Sequence, residues 1–361
     1  MSNDITVAAS DLQLFLYQMF AGLGMTTANA QLCSQSMVTT NLWGIDSHGL
    51  LRMPIYAKRL MGHVIKANPE VSTIAARGGF EVMDGNEGMG FLVGHAAMER
   101  AIALAKEYGI GAVSVTNSNH FGAAALYARQ ATDQGMLALS MTNVTPNLVV
   151  PGGSKPITGN NPIAFGAPTR LGFPFLLDIS MSSVAGGKLL LAEEKGEKIP
   201  MTWATDRSGK PTDDPRIGFE GFLLPLGGHK GFGLSLMVDI LCGVISGGAF
   251  QFDIKSMYGA PDKTSDTGHM VIAIDPTVLM GASEFLDRMD SFYQTVKNSP
   301  MWDDRQRMYI PGEIEHQTMA RRQEEGLPMP RSLVDELVGI ARTIEGEAMQ
   351  ASIDQFMATT S

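Results

Sequence analysis

Cysteine is nearly missing from this chain: Cys33 and Cys242 are the only two among 361 residues. Two thiols cannot build a disulfide framework or a cysteine-rich zinc site. Histidine is also scarce, and none of the seven falls in an H-x-x-H or H-E-x-x-H spacing, so no metal ligand set is expected. Positive charge is in deficit, with 27 Lys and Arg against 37 Asp and Glu, a net charge of −10 and a pI near 5.2. That balance excludes a general binder of nucleic acid or anionic membrane, and any anionic ligand must be met by a local basic site. The first residues lack the basic stretch and apolar run of a secretory signal, which makes the cytoplasm the expected location. Two nucleotide signatures are missing as well. Gly85, Gly88 and Gly90 do not make G-x-G-x-x-G, and no acidic residue follows at the right distance. No G-x-x-x-x-G-K-[ST] phosphate loop occurs either.

What is present describes an ordinary globular enzyme-sized chain, 44% hydrophobic and 18% charged, long enough for two domains or one domain carrying a large insertion. Ser10 and Asp11 precede an amphipathic run closed by glycine, and a second helix is expected over about 27–41. From residue 137 the texture changes to short strands and turns: LALSMTNV, PGGSKPITGNNPIAFGAP and FPFLLDIS. A helix is expected over 182–191 and charged loops after it. Strands interleaved with helices, without regular βαβ spacing, predict a mixed or antiparallel α/β sheet. The last 70 residues return to helix, with SEFLDRMDSFYQTVKN and RSLVDELVGIARTIEG around a YIPGE loop. The apolar stretch 234–250 carries only Asp239 as a charge. That charge, several glycines and the absence of a second such stretch favour a buried core helix over a membrane span.

Three segments carry chemistry. GIGAVSV (109–115) reads as a buried strand and AAALYARQA as a helix, so a cap at Ser118 or Asn119 would set His120 in the first helical turn. There the helix dipole would lower its pKa and keep it neutral, able to accept a proton. Position alone accommodates a hydrogen-bonded core histidine equally well. In GIDSHGLLRMP, a helix capped by Ser47 would put His48 and Arg52 on one face, a titratable ring beside a guanidinium fork suited to a carboxylate. Taken alone, that pair is also what a solvated surface offers. In LPLGGHKGFG, glycines before a helix let a phosphate approach the backbone, with Lys230 as a point charge.

In this order, DSHGLLRMP (46–54), SNHFGAAALYA (118–128), GNNPIAFGAP (159–168), LLDIS (176–180), GGHKGFGLSLMVD (227–239) and YIPGE (309–313) resemble the malate/L-lactate dehydrogenase family of the second, non-Rossmann type. Relatives in that family include sulfolactate and ureidoglycolate dehydrogenases, diketogulonate reductase and Δ1-piperideine-2-carboxylate reductase. The resemblance implies an α/β cofactor-binding domain with a mixed or antiparallel sheet (76–285), inserted in a helical domain built from both chain ends (1–75 and 286–361). It implies a homodimer, a small carboxylic acid substrate, and NAD or NADP as cofactor, with NAD preferred. His120 matches the proton acceptor, and His48 and Arg52 match the substrate pocket. Asp178 would either orient a histidine or only face the cofactor. The dinucleotide is expected around Val144, at Asp178-Ile179-Ser180, by Lys230 and by Gly312-Glu313-Ile314. The family's D-M-A-T-S run is Asp178-Ile179-Ser180-Met181-Ser182 here, and its G-T-N-P is Gly159-Asn160-Asn161-Pro162. The implied reaction moves a hydride between a nicotinamide and a 2-hydroxy/2-keto acid such as malate, lactate or sulfolactate. A cyclic imino acid reductase, or a non-catalytic cofactor-binding protein of the same fold, are the competing readings. His48 would either polarise the reacting oxygen or bind the carboxylate.

Overall fold

Helix Ala9–Gly22 buries Leu12, Phe15, Leu16, Met19 and Phe20, the three-and-four spacing of a single helical stripe. Helix Thr27–Leu42 follows, its start capped by the Thr26 hydroxyl, which accepts from Asn29 N–H. In the computed structural model, which describes residues 4–303 and 305–359, both helices share one apolar core with Arg331–Ala341 and Glu347–Thr359 from the other end of the chain. Phe15 stacks on Phe356 with ring centroids 4.1 Å apart. Strand Asp4–Val7 pairs antiparallel with Leu327–Pro330, a second tie between the two ends. Each apolar stripe is too narrow to fold alone, so sequence-distant segments share one core.

Between them lies a seven-stranded sheet in the order Ser72–Arg77, Phe80–Asp84, Ile110–Ser118, Thr267–Ile274, Leu137–Thr142, Ile163–Ala167, Phe175–Ile179. Only Phe80–Asp84 and Ile110–Ser118 run parallel, joined through helix Gly90–Tyr108; the other pairs are antiparallel. The sheet is therefore mixed and not doubly wound, in keeping with the missing dinucleotide fingerprint. Side chains alternate across it. Val113, Val115, Val271 and Ala273 face helices Gly90–Tyr108 and Ala125–Thr132, whereas Met270 and Ile272 face Val238 and Cys242. A smaller five-stranded sheet, built from strands of two or three residues, packs beside helices Gly186–Lys195 and Pro215–Glu220.

Several elements depart from the sequence expectations. The helix expected from 182 begins at Gly186, because Ser182 and Ser183 spend their hydroxyls on the Val184 and Pro225 carbonyls instead. Helix Glu313–Glu325 was not foreseen: its sequence, EIEHQTMARRQEE, has no apolar stripe, and tertiary ion pairs hold it instead. Helix His229–Asp239 continues into a π-helical turn over Ile240–Val244, and it is not buried all round. Val238 and Cys242 enter the core, but Leu234, Met237, Ile240 and Val244 are exposed, since the sheet offers only one surface to pack on. Among the described residues no helix is long and apolar enough to cross a membrane.

Candidate active site

His120 does not sit in a helix. Strand Ile110–Ser118 ends two residues before it, and the next helix, Ala125–Thr132, starts five residues after it. The intervening loop is fixed from below. Asn119 is fully buried and donates to the Glu87 and Gly88 carbonyls at 3.0 and 2.9 Å. Gly90 lies so close beneath that a Cβ there would stand 2.3 Å from the His120 carbonyl oxygen. Gly122, at φ +76°, turns the chain back toward the helix. Phe121 stacks on Tyr127 and on His269, and the Tyr127 hydroxyl donates to the Phe121 carbonyl. Burial, rather than a helix dipole, holds His120 well below the ordinary histidine range, with His48 and Arg52 adding to the effect.

His48 and Arg52 also reach the site by another route than expected. Two single 3-10 turns, Asp46–His48 and Leu50–Arg52, stand where one α-helix was anticipated, and they break at Gly49. A Cβ on Gly49 would collide with the Asn41 amide at 1.9 Å. The rings of His48 and His120 nevertheless lie parallel, 5.6 Å apart. Burial, and secondarily Arg52, pushes His48 down to about 4. Arg52 donates from Nε to the Ser47 carbonyl at 2.7 Å and from Nη1 to the Tyr258 hydroxyl, its guanidinium 5.5 Å from the Tyr258 ring centre. This turn is gripped from the far end of the sequence. Arg322 makes a bidentate pair with Asp46, 2.7 and 2.9 Å, and also donates to the Asn41 carbonyl. Arg322→Ala is expected to cost about 1–2 kcal/mol of stability, discounted for the partly exposed Asp46. It should also raise KM through the loosened His48–Arg52 turn. Urea melts and substrate titration measure the two effects.

His48, Arg52 and His120 line one cavity of about 730 Å³, a volume suited to a sizeable organic ligand. Val144, Asp178 and Ser180 line it too; Ile179 does not. Asp178 accepts from Ala125 N–H at 2.8 Å, so its carboxylate closes the start of the helix that follows the His120 loop. Burial raises it to about 6, and nearby Glu315 pushes the same way. The remaining expected contacts stand apart. Lys230 is exposed at the start of its helix and does not line the cavity. Gly312, at φ +93°, borders a small adjoining space. Glu313 is buried and paired with Lys297 and Arg307 at 2.5 and 2.6 Å, while Ile314 is exposed.

Other lining residues carried no sequence signal. Tyr258 and Lys255 come from an irregular segment, and Glu315 from the unforeseen helix. Tyr56 does not line the cavity, but its hydroxyl lies 2.5 Å from His120 Nδ1, and it did leave a trace, since it follows Arg52 at the four-residue helical spacing. A nicotinamide dinucleotide fits the remaining lining on two observations. The start of helix Gly186–Lys195 has no side-chain cap, and Gly186 and Gly187, whose N–H groups have no acceptor among the described residues, line the cavity with open space where side chains would stand. Asn147 also lines it, with a buried Oδ1 that has no protein partner. No group of three or more His, Cys, Asp or Glu able to hold a metal occurs among the described residues.

A family model described as malate/L-lactate dehydrogenase matches residues 7–338. The chain is 38% identical over 350 residues to a malate dehydrogenase of Pyrococcus abyssi, covering 95% of this chain and 96% of that one. It is 35% identical over 280 residues to a Delta(1)-pyrroline-2-carboxylate/Delta(1)-piperideine-2-carboxylate reductase of Pseudomonas putida, 76% of this chain and 81% of that one. The solved structure of a sulfolactate dehydrogenase from Methanocaldococcus jannaschii superposes with a TM-score of 0.91 at 32% identity, covering 98% and 100% of the two chains.

Proposed function

The chain belongs to the malate/L-lactate dehydrogenase family, and from that premise we propose that it moves a hydride between a nicotinamide dinucleotide and C2 of a small 2-hydroxy or 2-oxo acid, with His120 exchanging the proton. The observation that carries this reading is the meeting of a neutral histidine and a guanidinium fork in one cavity, beside the uncapped helix start. The dinucleotide supplies the hydride acceptor or donor when bound; Gly186, Gly187, Asn147, Ser180 and Val144 are the residues proposed to hold it. Arg52 would grip the substrate carboxylate and so orient C2. In oxidation, His120 Nε2 takes the hydroxyl proton; in reduction it returns one to the oxygen. The stacked His48, also neutral at pH 7, stands where it can donate to the same oxygen or to the carboxylate. A purified sample should oxidise reduced nicotinamide with a panel of 2-oxo acids, including oxaloacetate, pyruvate and sulfopyruvate. No turnover with any of them would remove the proposal. The Pseudomonas putida relative motivates one second reading, a cyclic imino acid reductase, and faster turnover of cyclic imines in the same panel would establish it.

Asp178 gives the reading a pH signature. Its carboxyl ionises as pH rises through about 6. The ionised form would best balance the oxidised, cationic nicotinamide and the imidazolium formed on His120. The kcat/KM for oxidation should therefore climb through about pH 6, and that limb should vanish in Asp178→Asn. Stability should move the opposite way. A carboxyl whose pKa is higher folded than unfolded favours folding at acid pH and loses that contribution as pH rises through about 6. Asp178→Asn, whose amide oxygen can still accept from Ala125, should therefore melt above the parent at pH 7.5, with the advantage gone near pH 4. Melting curves at the two pH values check this.

A further inference from the structure

Directly behind His120 stands Tyr56, on helix Met53–Met61, with no exposed surface. Its ring meets Phe91 edge-on at 5.8 Å, and its hydroxyl lies 2.5 Å from His120 Nδ1. One other group faces Nδ1, the backbone N–H of Gly122 at 3.4 Å. Nε2 has no hydrogen-bond partner among the described residues and is not among the buried unpaired atoms, so it is the nitrogen left to the cavity. The two neighbours of Nδ1 differ in kind. An amide N–H can only donate, whereas a hydroxyl can donate or accept.

We infer that Tyr56 is a positioning residue for the acid–base step: its hydroxyl fixes the His120 ring with Nε2 toward the cavity, and it is the neighbour of Nδ1 that can accept when that nitrogen carries a proton. The inference rests on the reading of His120 as the proton-exchanging group. A neutral ring that accepts at Nε2 must carry its proton on Nδ1, where the Gly122 N–H, itself a donor 3.4 Å away, cannot pair with it. The imidazolium formed when Nε2 takes the hydroxyl proton keeps that Nδ1 proton, and in reduction it gives the Nε2 proton back to the oxygen. Tyr56 answers by turning its own proton away and accepting. Burial raises the Tyr56 phenol far above its ordinary value, so it stays neutral and is no proton source. With no exposed surface it cannot touch substrate.

Tyr56→Phe keeps the ring and its packing on Phe91 and removes only the hydroxyl. With the fastest 2-oxo acid of the panel and reduced nicotinamide dinucleotide, the variant should lose about 10- to 100-fold in kcat, with KM changed less than about twofold. The limb of the pH–kcat profile that disappears in His120→Asn should move to lower pH, because the imidazolium has lost its acceptor. In the His120→Asn background Tyr56→Phe should cause no further loss. A kcat within about twofold of wild type with an unmoved profile, or the same loss in both backgrounds, would overturn the inference. If His120→Asn is inactive and Tyr56→Phe is unimpaired, only the inference falls. If His120→Asn keeps full kcat, the reading of His120 falls and takes the inference with it. Nitrogen-15 spectra of ring-labelled histidine in the wild-type protein test the geometry without a Tyr56 variant. The signal that disappears in His120→Asn should show its proton on Nδ1, and a proton on Nε2 in the free protein would overturn the inference.

Discussion

Replacing His120 with alanine is expected to lower kcat by ~10²–10⁴, the usual contribution of a positioned general acid–base group, while the dinucleotide binds with nearly its normal Kd. The loop that carries His120 is held by Asn119, by the close approach of Gly90 and by the Phe121 stack on His269, none of which uses the imidazole. The substitution should therefore leave the cavity lined as before. Its structural cost is local: the Tyr56 hydroxyl loses its partner in a fully buried place, worth about 1–3 kcal/mol. A melting curve separates that cost from the kinetic one, and fluorescence titration gives the Kd. Near-normal kcat in a folded His120→Ala protein would remove His120 from the chemistry.

Arg52→Lys should lose about 2–3 kcal/mol in kcat/KM, with KM raised and kcat lowered together. Arg52 already spends Nε on the Ser47 carbonyl and meets Tyr258 through Nη1, so its guanidinium plane is set before any substrate arrives. A lysine keeps the charge but has no fork. It cannot hold Ser47 and both oxygens of a carboxylate, and a carboxylate held by one point contact lets C2 drift from hydride distance. The lysine already in the cavity lining, Lys255, does not replace the fork for the same reason. A cyclic imino acid presents a similar carboxylate and should suffer a similar loss, so the variant does not distinguish the two substrate classes. It separates both from neutral alcohols. Equal turnover of simple alcohols and 2-hydroxy acids by the wild-type protein would mean that Arg52 is no carboxylate clamp.

Much of this was legible in the chain. The small and β-branched run GIGAVSV and the amphipathic run LQLFLYQMF carry their strand and helix in residue type and local geometry. A strand must put alternate side chains on opposite faces, and a helix must stripe them. Those patterns, with the missing G-x-G-x-x-G, were enough to expect a mixed sheet without a Rossmann turn, and ordered motifs spread over the chain identified the family. The site was legible as residue types: His48, Arg52, His120 and Asp178 all line the cavity. How they get there was not legible. Whether His120 begins a helix or rides a loop depends on Gly90, some thirty residues earlier, allowing the backbone to pass at contact distance. Arg322 holds the His48–Arg52 turn from a helix with no apolar stripe, which leaves no periodic trace. The low pKa of His120 comes from burial among neighbours, not from a helix end that sequence spacing could locate. Composition and periodicity record what each segment requires of its surroundings, so they determined most of the elements and the class of fold, while the ordered motifs pointed to the chemistry. Distances between segments far apart in sequence are set only when the chain closes on itself, so the tertiary structure alone decided the path of the His120 loop, the clamp on Asp46 and the hydroxyl of Tyr56 at Nδ1.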